Sequence, residues 1–261
     1  LHWTPVDSVT IRGVYSRSLG GVSFDESVRL EPTQLGGFNQ SFRNFIPQSL
    51  AGSVSAPKSE VIGAAIEWRP GSDTKLELQG EILRTDVNRT IGVFDFLPPT
   101  MPGDPPPHTV VSSTKENLEY EERRLSFTIN QLLANEWSLG AQYRLTDSRL
   151  ERRLPSLPSA FQTRVEKALL HEIGLFVNYE HESGFFGRAE SRWFIQDNSE
   201  LADENMVQLN LFAGFRFARR RFEATIGLLN VTGQNYRLNP VTPYRDLPRE
   251  RVLMTRLQFN F

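Results

Sequence analysis

Few residues of this sequence have the types and spacing that catalysis or metal binding requires. Ser183 and Gly184 indicate a turn, because the Gly-x-Ser-x-Gly context of a nucleophile elbow is missing. No glycine-rich phosphate loop is present. The histidines form no His-x-x-x-His or Glu-x-x-His grouping that would arrange a metal ion, and they stand singly at His2, His108, His171 and His181.

One acid–base pair is close together in the sequence, Asp104 with His108 in a proline-rich segment. Outer-membrane proteases place Asp and His at the external rim of a β-barrel, so this pair is the candidate for a protease site of that kind. Its prolines predict a stiff, extended loop, and no second acidic pair is spaced to hold a water molecule. We therefore expect a chain that is not an enzyme, with no catalytic residue, metal or cofactor.

Charged residues recur at alternate positions of several segments. They could form a ladder that guides an anionic solute, or they could pair across strands and hold the wall of a sheet in register. The mixture of signs favours the second interpretation. The residues concerned are Arg12, Arg144, Arg188, Arg192, Arg216 and Arg256 with Glu77, Glu81, Glu172, Glu190 and Glu223.

The composition narrows the classes of protein that fit. A net charge of -2 gives no reason to expect a nucleic-acid partner. The absence of cysteine excludes disulfides and thiolate metal sites, and it is compatible with a chain exposed to the periplasm. A mean hydropathy of -0.38 and the lack of an apolar run of about 18 residues exclude a membrane-spanning helix. These two observations do not exclude a transmembrane β-barrel, because only alternate residues of its strands face lipid.

Alternation of apolar and polar residues predicts ten β-strands. Most are longer than the 5–6 residues usual in soluble domains, and they suit the roughly 9–11 residues that a tilted strand needs to cross a bilayer. The predicted segments are Ser8–Ser18, Ser59–Arg69, Thr74–Asp86, Asn117–Leu132, Glu136–Arg149, Glu166–Glu180, Phe185–Asp197, Asn205–Phe217, Phe222–Asn230 and Glu250–Phe261.

The connections between these segments alternate between short and long. Short polar turns follow the second, fourth, sixth and eighth segments, whereas the others, such as Leu19–Lys58, Val87–Glu116 and Leu150–Val165, are long. Transmembrane barrels have short periplasmic turns and long external loops. The sequence therefore predicts an all-β, transmembrane, antiparallel up-and-down β-barrel of about ten meander strands, and we expect these strands to be part of a larger barrel.

One face of the predicted strands is apolar, and we assign it to lipid. A soluble barrel with an apolar core would show the same alternation, but it has no reason to collect aromatic residues at one height. Here aromatic side chains of the apolar face lie next to the short turns, which predicts an interfacial girdle. Its members are Trp68, Trp137, Tyr179, Phe217 and Phe222.

The last strand resembles the final strand of bacterial outer-membrane barrels, which is read as an assembly signal; here that signal is Leu257, Phe259 and Phe261. Three further features extend the resemblance: the Pro57-Lys-Ser-Glu60 strand entry, the hairpin Ile62–Asp86, and Gly227–Tyr236. Together they resemble the C-terminal barrel portion of TonB-dependent outer-membrane receptors. The resemblance covers about a quarter of the chain.

This resemblance implies a transport or receptor barrel in the outer membrane of a Gram-negative bacterium. Family members have 22 strands and an N-terminal plug, so residues 1–261 are expected to be the C-terminal part of a longer chain, with signal peptide and plug upstream. The implied partners are outer-membrane lipid, the barrel-assembly machinery, a plug domain and an energy-coupling inner-membrane protein. The alternatives are a complete small barrel, an exporter barrel fused to periplasmic repeats, an outer-membrane protease and an adhesin anchor.

The segment Leu19–Lys58 is the candidate for ligand binding. It is too apolar for a solvated tether and could fold over the barrel mouth or carry a short helix around Gly37–Phe45. Loops of this length are usually functional or disordered. The candidate contact residues are Phe24, Phe38, Phe42 and Phe45.

Overall fold

The computed structural model describes residues 1–19, 58–98, 106–199, 204–217, 221–233 and 250–259. Within them the chain forms one antiparallel sheet in which every strand pairs with its neighbours in chain order. The prediction of an all-β, antiparallel up-and-down architecture is confirmed. The strands are β1 (His2–Val6), β2 (Val9–Leu19), β3 (Lys58–Trp68), β4 (Thr74–Leu97), β5 (His108–Leu133), β6 (Trp137–Arg153), β7 (Thr163–Glu180), β8 (Phe185–Asn198), β9 (Glu204–Phe217), β10 (Phe222–Leu229) and β11 (Val252–Phe259).

The described residues contain eleven strands rather than the ten predicted, because β1 was missed. It has 5 residues and contains Pro5, so it is too short to show a clear period of two. A two-residue turn joins it to β2, and Trp3 lies opposite Ile11 in the pairing. Helix within the described ranges is limited to the 3-10 turn Ser159–Phe161, and no helix there is long and apolar enough to cross a bilayer.

The expectation of a long loop over Val87–Glu116 was wrong. Strand β4 continues for 24 residues and β5 for 26, and their pairing extends without interruption to Leu97 opposite His108. Polar residues at Asn88, Arg89 and Thr90 hid the continuation, although β-branched and aromatic residues typical of strands resume directly after them. The connection between β6 and β7 is likewise reduced to residues 154–162.

The turn between β7 and β8 requires glycine at position 184. Gly184 has a φ of 98°, and a Cβ added there would lie 2.1 Å from the carbonyl oxygen of Arg216. That oxygen belongs to the neighbouring strand β9, whose Arg216 N–H donates to the Gly184 carbonyl at 2.8 Å. The turn therefore sits against β9 with no room for a side chain.

We expect Gly184→Ala to lower the free energy of unfolding by about 1–3 kcal/mol, because the left-handed backbone and the close approach both resist a Cβ. Gly71→Ala is the matched control, since a Cβ there meets nothing within 4 Å. It should change the free energy by less than about 1 kcal/mol. Urea unfolding of both variants measures the difference, and equal losses would show that the turn does not depend on glycine.

Candidate functional site

One face of the sheet, here called the outer face, exposes large apolar side chains. It carries Ile66, Leu78 and Phe127, which lie opposite one another on β3, β4 and β5. Phe127 is 43% exposed and Leu175, farther along the sheet on β7, is 44% exposed. In a sheet that folds in water, such residues pack into a hydrophobic core. In this sheet they are exposed on the outer face across most of the strands.

The opposite face, here called the inner face, buries polar side chains at the same level. Glu172 on β7 is 2% exposed and accepts a hydrogen bond of 3.0 Å from the guanidinium of Arg144 on β6. Burying a carboxylate is costly unless it is paired, and here the pairing is present. Other buried polar residues of this face at that level are Glu67, Ser126, Gln208 and Asn210. In this part of the sheet the faces are inverted relative to a soluble protein.

The apolar band of the outer face ends at one row of paired residues, Leu125, Leu145, His171 and Ile195. Beyond this row, away from the short turns, the outer face of β4, β5 and β6 carries several ion pairs, and it also exposes Ile62, Phe94, Phe96 and Val111. Its ion pairs include Arg84 with Glu121 at 3.1 Å, Arg123 with Glu121 at 2.7 Å and Arg149 with Glu151 at 2.8 Å. Glu151 lies on β6 above the band, that is, on the side away from the short turns. A hydrogen bond from Arg153 and the positive charges of Arg153 and Arg149 hold its pKa below the ordinary value.

The inner face changes in the opposite sense near the same level, from polar to apolar. Its core is well packed: Phe194 is 1% exposed. A buried ion pair lies within it, where Arg124 donates to Glu122 at 2.9 Å and the Tyr120 hydroxyl donates to the same carboxylate at 2.8 Å. The core consists of Leu83, Val87, Leu118, Tyr120, Leu150, Ala168, Leu170, Phe194 and Met206. Part-way along the long strands, the inner face thus changes from a mainly polar surface to a packed core that still contains buried polar residues such as Glu116, Glu122 and Gln196.

The aromatic residues predicted to form a girdle lie on the outer face next to the short turns. Trp137 and Tyr179 are opposite each other, with ring centroids 4.6 Å apart. Phe217 stacks on Phe222 at 5.2 Å, and Phe222 meets Phe259 edge-on at 5.1 Å. The structure therefore joins four predicted positions into two contacting pairs and extends the second pair to the assembly-signal residue Phe259.

The remaining predicted residues have separate places. Trp68 ends β3 on the outer face, and Leu257 lies exposed on the outer face of β11. His108 begins β5, where its Nδ1 lies 3.1 Å from the carbonyl oxygen of Pro106. The predicted positions outside the described residues are Asp104, Phe261 and the segment Leu19–Lys58 with Phe24, Phe38, Phe42 and Phe45, apart from the strand ends at Leu19 and Lys58.

A second aromatic group, which the sequence reading missed, lies near the upper edge of the apolar band. Tyr143 and Trp193 are both opposite Ile173, on either side of it. The Tyr143 hydroxyl lies 2.8 Å from His171 Nδ1, and Trp193 Nε1 donates to the Ser191 hydroxyl at 3.1 Å. Amphipathic rings at the second edge match what both interfaces of a bilayer select. Counting outward positions from both ends of each strand would have found them.

Most arginines of the inner face are paired with glutamates, as the mixed charges had indicated. Arg12 lies 3.0 Å from Glu77. Arg216 bridges Glu223 at 2.9 Å and Glu180 at 3.0 Å, and its guanidinium carbon lies 4.4 Å from the ring centroid of Phe186. The Arg216–Glu223 pair joins the neighbouring strands β9 and β10, whereas Arg12–Glu77 and Arg216–Glu180 each reach across one intervening strand. Such contacts help to fix the register of the strands.

Comparison with known proteins gives a distant likeness in structure. No family model and no curated protein matches the sequence. Among solved structures, the sheet is similar to the ferric enterobactin receptor of Pseudomonas aeruginosa, a Q482A mutant in complex with enterobactin, with 14% identity and a TM-score of 0.34. The match covers 90% of this chain and 42% of the receptor, so the chain spans less than half of the receptor's length. We infer function from the two faces of the sheet.

Proposed function

We propose that this chain forms part of the wall of an outer-membrane β-barrel that serves ligand passage, similar to the barrel of a TonB-dependent receptor. The observation that supports this most is the inversion of the two faces. Below the row that contains Leu145, large apolar side chains are exposed on the outer face and charged ones are buried on the inner face. Above that row, the outer face of β4 to β6 carries ion pairs and the inner face packs an apolar core around Phe194.

The free energy of hydration explains why a bilayer fits this pattern. Each exposed Å² of apolar surface costs about 25 cal/mol in water, and soluble proteins rarely expose apolar patches larger than a few hundred Å². Lipid removes this cost. On β6 the band runs from Trp137 to Leu145, which is close to the 9–11 residues that a tilted strand needs to span a bilayer. The charged outer face beyond Leu145 then lies in water or among headgroups.

The two edges of the sheet support a larger barrel. Strands β1 and β11 are the edges among the described strands, and they run in the same direction because their number is odd. An open edge in lipid leaves backbone N–H and C=O groups without partners, at several kcal/mol per group. Closing the sheet with antiparallel pairs therefore requires an odd number of further strands, in agreement with the even totals of single-chain bacterial barrels.

We place these residues at the C-terminal end of such a barrel in a Gram-negative outer membrane. The partners follow from this placement: outer-membrane lipid around the apolar band, the barrel-assembly machinery acting on Leu257 and Phe259, an upstream plug domain, and an energy-coupling protein of the inner membrane. Trp68, Trp137, Tyr179, Phe217 and Phe222 then form the girdle at the periplasmic interface.

The orientation of the barrel gives a test of this proposal. A single cysteine at Ser156, in the connection after β6, should react with a membrane-impermeant maleimide on intact Gram-negative cells that produce the full-length protein. A cysteine at Ser72, in the short turn after β3, should react only after the outer membrane is opened. Because residues 1–261 contain no cysteine, they add no background labelling. Labelling of both positions in intact cells, or of Ser72 alone, would contradict the proposed topology.

A further inference from the structure

A cavity of about 380 Å³ opens on the inner face between β7 and β11. It lies on the side of the sheet near the short turns, below the apolar core. Its lining is unusual in charge, because four arginines and three glutamates converge on it. The lining residues that matter below are Arg188, Arg192, Arg216, Arg256, Glu190 and Asn210.

The carboxylates around the cavity do not neutralise all of its arginines. Arg216 is held by Glu180 and Glu223 at 3.0 and 2.9 Å. Arg188 pairs with Glu190. The ion pairs of these two arginines therefore involve all three glutamates that line the cavity.

The other two arginines have weaker partners. Arg192 lies 3.6 Å from Glu172, but that carboxylate already accepts a 3.0 Å hydrogen bond from Arg144. Arg256 is exposed on β11, and among the described residues its hydrogen-bond acceptor is the neutral amide of Gln258. The cavity therefore has a surplus of positive charge, centred on Arg256 and Arg192.

Asn210 adds a neutral donor to the same lining. Its side-chain oxygen accepts the backbone N–H of Asn230 at 2.9 Å, which directs its NH₂ group away from that contact. Asn210 is itself 8% exposed, so the surrounding residues of the sheet hold its side chain in place. Phe186 and Phe212 supply apolar surface beside these donors. Charged and neutral donors on a fixed wall with apolar flanks are the elements of a small-molecule site.

We propose that this cavity is a binding site for a small anionic solute that carries carboxylate or phosphate groups. Arg256 is the principal contact, because a guanidinium presents a planar set of donors that matches both groups. Arg192 and Asn210 contribute further donors. The inference rests on the proposed function, since only a barrel wall places this face toward the lumen.

Isothermal titration calorimetry of the protein folded in a non-ionic detergent tests the site, with citrate and inorganic phosphate as probes and glucose as the neutral control. Citrate should bind and glucose should not. Arg256→Gln should weaken citrate binding at least about tenfold, the loss expected for one charge-assisted hydrogen bond, and Arg192→Gln should weaken it less. Arg84→Gln is the matched control, because it removes the same charge from the outer face above the band and should change affinity less than about twofold.

The outcomes separate the site from the proposed function. A protein that inserts into detergent with a β-sheet circular dichroism spectrum, but binds neither citrate nor phosphate, overturns the site alone. Equal weakening by Arg256→Gln and Arg84→Gln overturns it as well, since it shows attraction to net charge without a specific contact. A protein that remains folded and monomeric without detergent overturns the proposed function, and the site with it.

Discussion

An arginine at Phe127 should lower the free energy of unfolding of the bilayer-inserted protein by about 2–4 kcal/mol. Phe127 lies on the outer face of β5, within the apolar band and opposite Leu78 and Tyr143. A guanidinium there must either lose its hydration in the hydrocarbon or draw water and headgroups toward it. Urea titration in phospholipid vesicles, followed by tryptophan fluorescence, measures the loss.

Thr128→Arg is the control for this substitution, because the next residue along the strand faces the other way. Thr128 lies on the inner face opposite Glu77, so an arginine there gains a carboxylate neighbour. Its cost should stay below about 1 kcal/mol. Similar losses at both positions would mean that β5 does not have one lipid face and one polar face.

The second large effect is expected at Phe194, where substitution by alanine should cost about 3–5 kcal/mol. The ring is almost completely buried in the core on the inner face, so its removal leaves a cavity in addition to the lost transfer energy. The core is formed by side chains from β4 to β9, and its loss should loosen the ends of these strands that lie beyond the band. The same urea titration, combined with limited proteolysis, measures both consequences.

Phe96→Ala is the matched control for Phe194→Ala. Phe96 lies near the end of β4 and is 62% exposed, so its truncation should change the free energy by no more than about 0.5 kcal/mol. If the two truncations have equal effects, the inner face beyond the band is not a packed core.

The amino-acid sequence predicts most of this fold because a period of two is a direct consequence of strand geometry. Strands β2, β3 and β6 to β10 begin and end within a few residues of their predicted bounds. β1 is too short to have a measurable period. The halves of β4 and β5 that lie away from the short turns were missed because the alternation of apolar and polar residues disappears at Asn88–Thr90, while the backbone pairing continues.

The change of the two faces along the strands is harder to predict for a related reason. Along β6 the inner positions change from Gln142 and Arg144 to Leu150, while the outer positions change from Leu145 to Arg149. Beyond Leu145, Leu150 is the only apolar residue of β6, so the sequence there has no alternation from which the change could be predicted. The anion site is also beyond prediction from spacing. Arg216 reaches Glu180, 36 residues away, and such register decides which arginine remains without a carboxylate.

Quenching of tryptophan fluorescence tests the central claim most directly, because all four tryptophans of the chain, Trp3, Trp68, Trp137 and Trp193, are exposed outer-face residues. In vesicles of lipids with brominated acyl chains, their emission should be strongly quenched relative to unbrominated vesicles, and aqueous iodide should quench it weakly. Strong quenching by iodide with no effect of the brominated chains would show that the outer face meets water, and would contradict a membrane-embedded barrel wall.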